Sequence, residues 1–195
     1  MKLKYWLLGL CAVAGGLWLV VRDPRMEWRE EVRLQSGEVI VIKRTAKFSE
    51  NWIAGGGGGS FNRGMTIEFD PPNKPGNPTM WSGLYDPLII DKDPNTNEWI
   101  IIATFTHCDG WYNIGRPKLP YTEYVFRNGK WEQGPLNSQR IGRVGNLFLI
   151  DPSERKTINS SGPVVKISDK EKRLRDRPGI SPKYKKIIDT WTTGC

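Results

Sequence analysis

The chain reads as a mainly β, α+β protein: an antiparallel β-sandwich or half-barrel with an N-terminal transmembrane helix and a C-terminal helical segment. Three observations predict this. Short runs rich in Val, Ile, Trp and Tyr recur along the middle of the chain, separated by Gly, Pro and Asn clusters, the pattern of a domain of seven to nine short strands. Tyr5–Val21 is an uncharged run of 17 residues, preceded by Lys2 and Lys4 and closed by Arg22-Asp23-Pro24. Helical signals are confined to the C-terminal part. The expected domains are therefore an anchor or signal peptide at 1–21, a β-rich domain at 22–165, and a basic helical segment at 166–195 packed on or appended to it.

At about 1.5 Å per residue, a 17-residue helix covers roughly 25 Å, near the lower limit for a bilayer core. Lys4 and Arg22 can snorkel, and Trp6 and Trp18 lie near the ends, where indole rings favour the headgroup level. A cleaved signal peptide is the rival, since Ala12-Val13-Ala14 fits a small-x-small cut. That cut leaves only Tyr5–Cys11 as the apolar region and a greasy new N-terminus. A lipoprotein would need a small residue before Cys11, where Leu10 stands. The anchor is the expectation, with the amino terminus inside and the body exported. Arg22, Arg25, Arg29 and Arg33 argue the other way.

Glu27–Leu34 and Val39–Ile42 flank Gln35-Ser36-Gly37-Glu38 and predict a hairpin. Lys47–Gly64 has little pattern and contains Gly55–Gly59. Met65–Phe69 is a short strand, and Asp70–Pro78, with four prolines, a loop. Pro87–Ile90 and Glu98–Thr106 are strands, and the apolar run Trp99–Ala103 predicts a central strand buried on both faces. Asn128-Gly129 between Tyr121–Arg127 and Lys130–Glu132 is the strongest hairpin signal. Asn146–Ile150 and Val164–Ile167 are expected as strands. Ser168–Arg175 and Ser181–Trp191 are expected as helices; Tyr184, Ile187, Ile188 and Trp191 fall at i, i+3, i+4 and i+7 behind Ser181-Pro182.

The net charge of +8 is local. Lys166–Lys186 carries +6, and Lys2 and Lys4 supply the rest, so the high isoelectric point is not a property of the body. Arg173, Arg175, Arg177, Lys183, Lys185 and Lys186 are the candidates for an anionic lipid or acidic protein partner. Nucleic acid is not an expected partner of an exported body. Cys108 and Cys195 are the two cysteines outside the apolar run, and export predicts a disulfide between them.

No motif carries recognisable catalysis. The glycine run lacks the Gly-Lys-Ser/Thr of a phosphate loop. His107-Cys108-Asp109 is read as a strand end, where neighbouring side chains diverge and a nucleophile–base pair is disfavoured. One histidine and two such cysteines cannot complete a usual zinc site, and no EF-hand pattern accompanies Asp86, Asp91 and Asp93, so no metal or cofactor is expected. Aromatics are the better clue. Trp99 and Trp131 belong to strands and the core, whereas Trp81, Tyr85, Trp111 and Tyr112 fall in or beside loops and are candidates to stack on sugars or peptides. A covering role over a small core is the alternative. Pro117 and Pro120 stiffen the entry to the next strand; a PxxP ligand is the weaker reading.

The string Trp111-Tyr112-Asn113-Ile114-Gly115-Arg116-Pro117-Lys118-Leu119-Pro120-Tyr121, with Trp131 and Asn146-Leu147, resembles uncharacterised proteobacterial envelope proteins that have one N-terminal anchor. The resemblance covers the middle of the chain and implies an envelope location without an activity. The expected function is a membrane-anchored envelope protein whose periplasmic domain binds or scaffolds. The alternative is an enzyme acting on cell-wall glycan or peptide, with Glu68/Asp70 or Asp86/Asp91 as acid and base.

Overall fold

The structure, a computed structural model, describes residues 25–51, 59–71, 76–105, 107–149, 154–176, 179–192 and 195. The expected anchor at 5–21 lies outside the described residues, and among those residues no helix is long and apolar enough to cross a membrane.

Eight strands form two four-stranded antiparallel sheets, each in sequential order. The first holds β1 (Arg25–Arg33), β2 (Val39–Asn51), β3 (Gly59–Phe69) and β4 (Thr79–Gly83). The second holds β5 (Asp86–Lys92), β6 (Trp99–Thr104), β7 (Tyr121–Arg127) and β8 (Lys130–Pro135). The turn at Gln35–Glu38 joins β1 to β2, and Asn128-Gly129 joins β7 to β8 with both residues at positive φ.

Strict alternation makes the first sheet one-sided. Met26, Trp28, Glu30 and Val32 of β1 point inward, as do Ile42 and Ala46 of β2 and Met65 and Ile67 of β3. The inner face of the second sheet supplies Ile90, Trp99, Ile101, Ala103 and Tyr124 to the same core. Phe69 packs edge-on against Trp99, and Trp81 against Tyr124, at 4.5 and 5.2 Å between centroids. β6 is buried along its whole length, because its other face is also covered: Ile102, with Leu88, Ile89 and Tyr121, packs beneath Ile187.

Where β1 and β5 would have to pair to close the two sheets, other segments fill the seam. Val165 forms one parallel bridge to Glu30. Asn146 stands in for a strand: its amide accepts from Ile90 N at 3.1 Å and donates to Ile90 O at 2.9 Å. Glu30 and Arg44, both inward-facing on strands and fully buried, form an ion pair at 2.8 Å. Glu30 Oε2 accepts from Phe148 N and Arg44 donates to Phe148 O, so the pair clamps both polar groups of one backbone unit. Lys170, from helix α3 (Ile167–Asp176), donates to Glu31 O and Asn146 O. Burial lowers the Lys170 pKa, and Glu30 opposes the shift.

Several expected elements take other forms. Residues 146–149 and 164–166 are seam fillers rather than ladder strands, since backbone partners there come one residue at a time; Ile150 lies outside the described residues. Ser181–Trp191 is a 3-10 turn at Pro182–Tyr184 followed by irregular chain with one antiparallel bridge from Lys186 to Val144, not a helix. Bonds from Ile187 N to Arg143 O and from Gly142 N to Ile187 O pull it onto the second sheet, overriding the helical spacing. A helix α1 (Cys108–Asn113) starts where a strand end was expected, and α2 (Arg155–Ser160) precedes α3.

Candidate functional site

The strand ends divide into two clusters. At one lie the starts of β1, β5 and β7, the ends of β4, β6 and β8, and α1. At the other lie the turns at 35–38, 93–98 and 128–129. The first cluster carries a concave surface that brings Tyr85, His107 and Cys108 together.

That surface is a recess of about 400 Å³. Asn62 and Arg63 of β3 form one wall, Leu84 and Tyr85 of the β4–β5 turn a second, and Phe105 with His107–Gly110 a third. Two local devices set its shape. Asn62 donates to the buried Asp86 at 2.7 Å, tying β3 to the start of β5. Gly110 lets α1 approach closely: a Cβ there would lie 2.6 Å from Phe105 Cβ and 3.4 Å from Tyr85 Cε1. A disulfide joins Cys108 to Cys195, with Cα atoms 5.4 Å apart, and Tyr112 Oη donates to Cys195 O at 3.1 Å. The second cysteine thus brings its chain segment to the first turn of α1.

The four aromatic candidates have different fates. Trp81 is a correction: it lies on β4, not in a loop, and is fully buried against Tyr124, so it offers no face to a ligand. A five-residue strand between turn-forming residues leaves too short an alternation to be visible in sequence. Tyr85 lines the recess half-buried, and burial raises its pKa. Trp111 folds inward: its Nε1 donates to Pro117 O at 3.0 Å and its ring meets Trp191, which in turn meets Phe105. Tyr112 stays exposed, with the Arg116 guanidinium 4.9 Å over its ring.

The six basic candidates do not act as one unit. Arg173 is ion-paired with the buried Glu154, and Lys183 donates to Phe105 O and sits over the Phe105 and Tyr184 rings. Burial lowers the Lys183 pKa, with Asp86 opposing. Arg175 and Lys186 are exposed and Lys185 is half-buried. Arg177 lies outside the described residues.

The Asp86/Asp91 pair does not converge. Asp86 and Asp91 are buried at opposite ends of β5, five residues or about 16 Å apart along a strand, well beyond glycosidase spacing. Asp91 is ion-paired with Arg143. Glu68 is on the outer face of β3, and Asp70 lies exposed past its end. Among the described residues no group of three or more His, Cys, Asp or Glu side chains is placed to hold a metal ion.

Recess residues Asn62, Arg63, Leu84 and Phe105 carry no sequence signal of their own. Tyr85 and the two cysteines pointed to this end of the molecule. No family model, curated protein or solved structure matches the chain.

Proposed function

We propose that this protein is a single-pass, inner-membrane-anchored envelope protein whose antiparallel β-sandwich lies on the periplasmic side and acts as a binding or scaffolding domain. The observation that carries this reading is the Cys108–Cys195 disulfide beside the recess, which suits an oxidising compartment. The apolar run Tyr5–Val21 supplies the anchor. The recess then serves as the contact region. Its lining of Arg63, Leu84, Tyr85 and Asp109 offers apolar, aromatic and charged contacts, and neither candidate carboxylate pair lines it.

The test uses membranes from cells making the full chain. The expected protein resists alkaline extraction, has the mass of residues 1–195, and shows no reactive thiol at Cys108 or Cys195 until reduced. A reporter fused after Cys195 is active only if exported. Release without detergent, two free thiols, or a cytosolic reporter sinks the reading. Cleavage of purified cell-wall glycan or peptide by the protein would replace binding with catalysis.

A further inference from the structure

We infer that the end of the domain carrying the recess faces the bilayer and contacts anionic lipid headgroups. The inference rests on the anchor reading above and names the partner of the same site.

The first argument is reach. Only Arg22-Asp23-Pro24 separate Val21, the last residue of the apolar run, from Arg25, the first residue of β1. Fully extended, the chain from Val21 to Arg25 spans about 14 Å. The headgroup layer takes up roughly half of that. Arg25 therefore sits within about a Debye length of the lipid surface at physiological salt. Arg25 pairs with Lys47, and Lys47 with Gly64, so the whole row across the first sheet is held at that depth.

The second argument is how the two ends handle charge. At the far end, cations are neutralised by carboxylates: Lys92 by Glu38, Arg127 by Glu98, Lys130 by Glu132, Arg140 by Asp93 and Arg143 by Asp91. At the tethered end Arg25 lies 3.9 Å from Glu27, but four other cations meet neutral groups. Arg63 donates to Ser49 Oγ, Arg155 to Arg25 O, Lys183 to Phe105 O, and Arg116 lies on a tyrosine ring. Arg63, Arg116 and Arg155 thus carry positive charge without a carboxylate ion pair among the described residues, on the side where an anionic surface would lie.

The third is exposed apolar and amphipathic surface in the same place. Leu84 is 66% exposed and Tyr112 43% exposed, one on the β4–β5 turn and one on α1. A leucine and a tyrosine flanked by Arg63 and Arg116 form the composition that settles at a headgroup interface. An acidic protein partner would explain the charge but not the tether length.

The test uses the full chain in lipid nanodiscs with and without a quarter of anionic phospholipid. A photo-crosslinking phenylalanine analogue replaces Leu84, Tyr112 or, at the far end, Asp70. Lipid adducts are expected from positions 84 and 112 and not from 70. Adding Lys47→Gln, Arg63→Gln and Arg116→Gln is expected to reduce them in anionic discs, toward the limit of about fivefold per cation. Chain that stays with the discs but gives no adduct at 84 and 112, or equal adducts at 70, overturns the orientation while the anchor stands. Chain that never associates with discs overturns both. Adducts unchanged by the three Gln substitutions, or equal in neutral discs, overturn the headgroup-charge part.

Discussion

Buried charge at single positions does two different jobs here. Glu30, Arg44 and Lys170 are held nearly out of water at the seam, where the first two bind the backbone of Phe148 and Lys170 donates to Asn146 O. Glu30→Ala leaves two cations buried beside an unpaired Phe148 N–H, and a loss of about 3–5 kcal/mol in urea unfolding is expected. Arg140, between Asp93 and Glu123, closes the far end of the second sheet. The Arg140 guanidinium, helped by Asn95 and Thr96 N–H groups, holds the Asp93 carboxyl at about 2. A depressed carboxyl pKa stabilises the fold above its unfolded value near pH 4, and that contribution fades as pH falls toward 2. In Arg140→Met the acid-induced loss between those values is expected to flatten, with lower stability at neutral pH. An unchanged acid unfolding profile would show that Asp93 is not held by this contact.

At the level of elements, the short helix α1 owes its position to tertiary contacts. Six residues without a side-chain cap are too few to form a stable helix in isolation. Close approach at Gly110 and the bridge to Cys195 hold it against Phe105. Gly110→Ala is expected to displace α1 and cost about 1–3 kcal/mol. Replacing both cysteines by serine opens a closed loop with a sequence separation of 87, worth on the order of 4 kcal/mol in the chain-entropy account. Protease cleavage near Trp191 should then precede global unfolding; equal protection with and without the bridge would mean that aromatic packing alone holds the segment. β2 and β3 are the other element with a long-range role. Phe48–Asn51 and Gly59–Asn62 run past Arg25 and pair only with each other, and Asn62 from this arm reaches β5.

For the molecule as a whole, the C-terminal segment is part of the fold rather than an appendage. Ile187 is buried over Leu88, Ile89, Ile102 and Tyr121, and Tyr121 Oη donates toward Lys183 O and Lys186 O. Desolvation there pushes the Tyr121 phenol up to about 12. Truncation after Ile180 is expected to expose this face, increasing binding of an apolar dye at neutral pH and reducing unfolding cooperativity. A truncated chain with an unchanged unfolding transition would show the segment to be dispensable.

What local chemistry determines on its own is legible: the hairpins at 35–38 and 128–129, the doubly buried strand Trp99–Thr104, the α3 helix, and an uncharged N-terminal run. Each rests on a period, a turn residue or a hydrophobic run within a dozen positions. What only tertiary structure decided lies at the seam and at the recess. Ser181–Trp191 has a helical spacing, yet hydrogen bonds to residues 142–145 and burial of Ile187 hold it out of a helix. Trp81 reads as a loop aromatic, yet the facing sheet buries it. Asn146 replaces a strand with a side-chain amide. Arg63, Leu84, Tyr85 and Asp109 become neighbours because two separate sheets end at the same level. The physical reason is common to all four: the deciding partners are far away in sequence, and burial against them outweighs the preferences of any short segment.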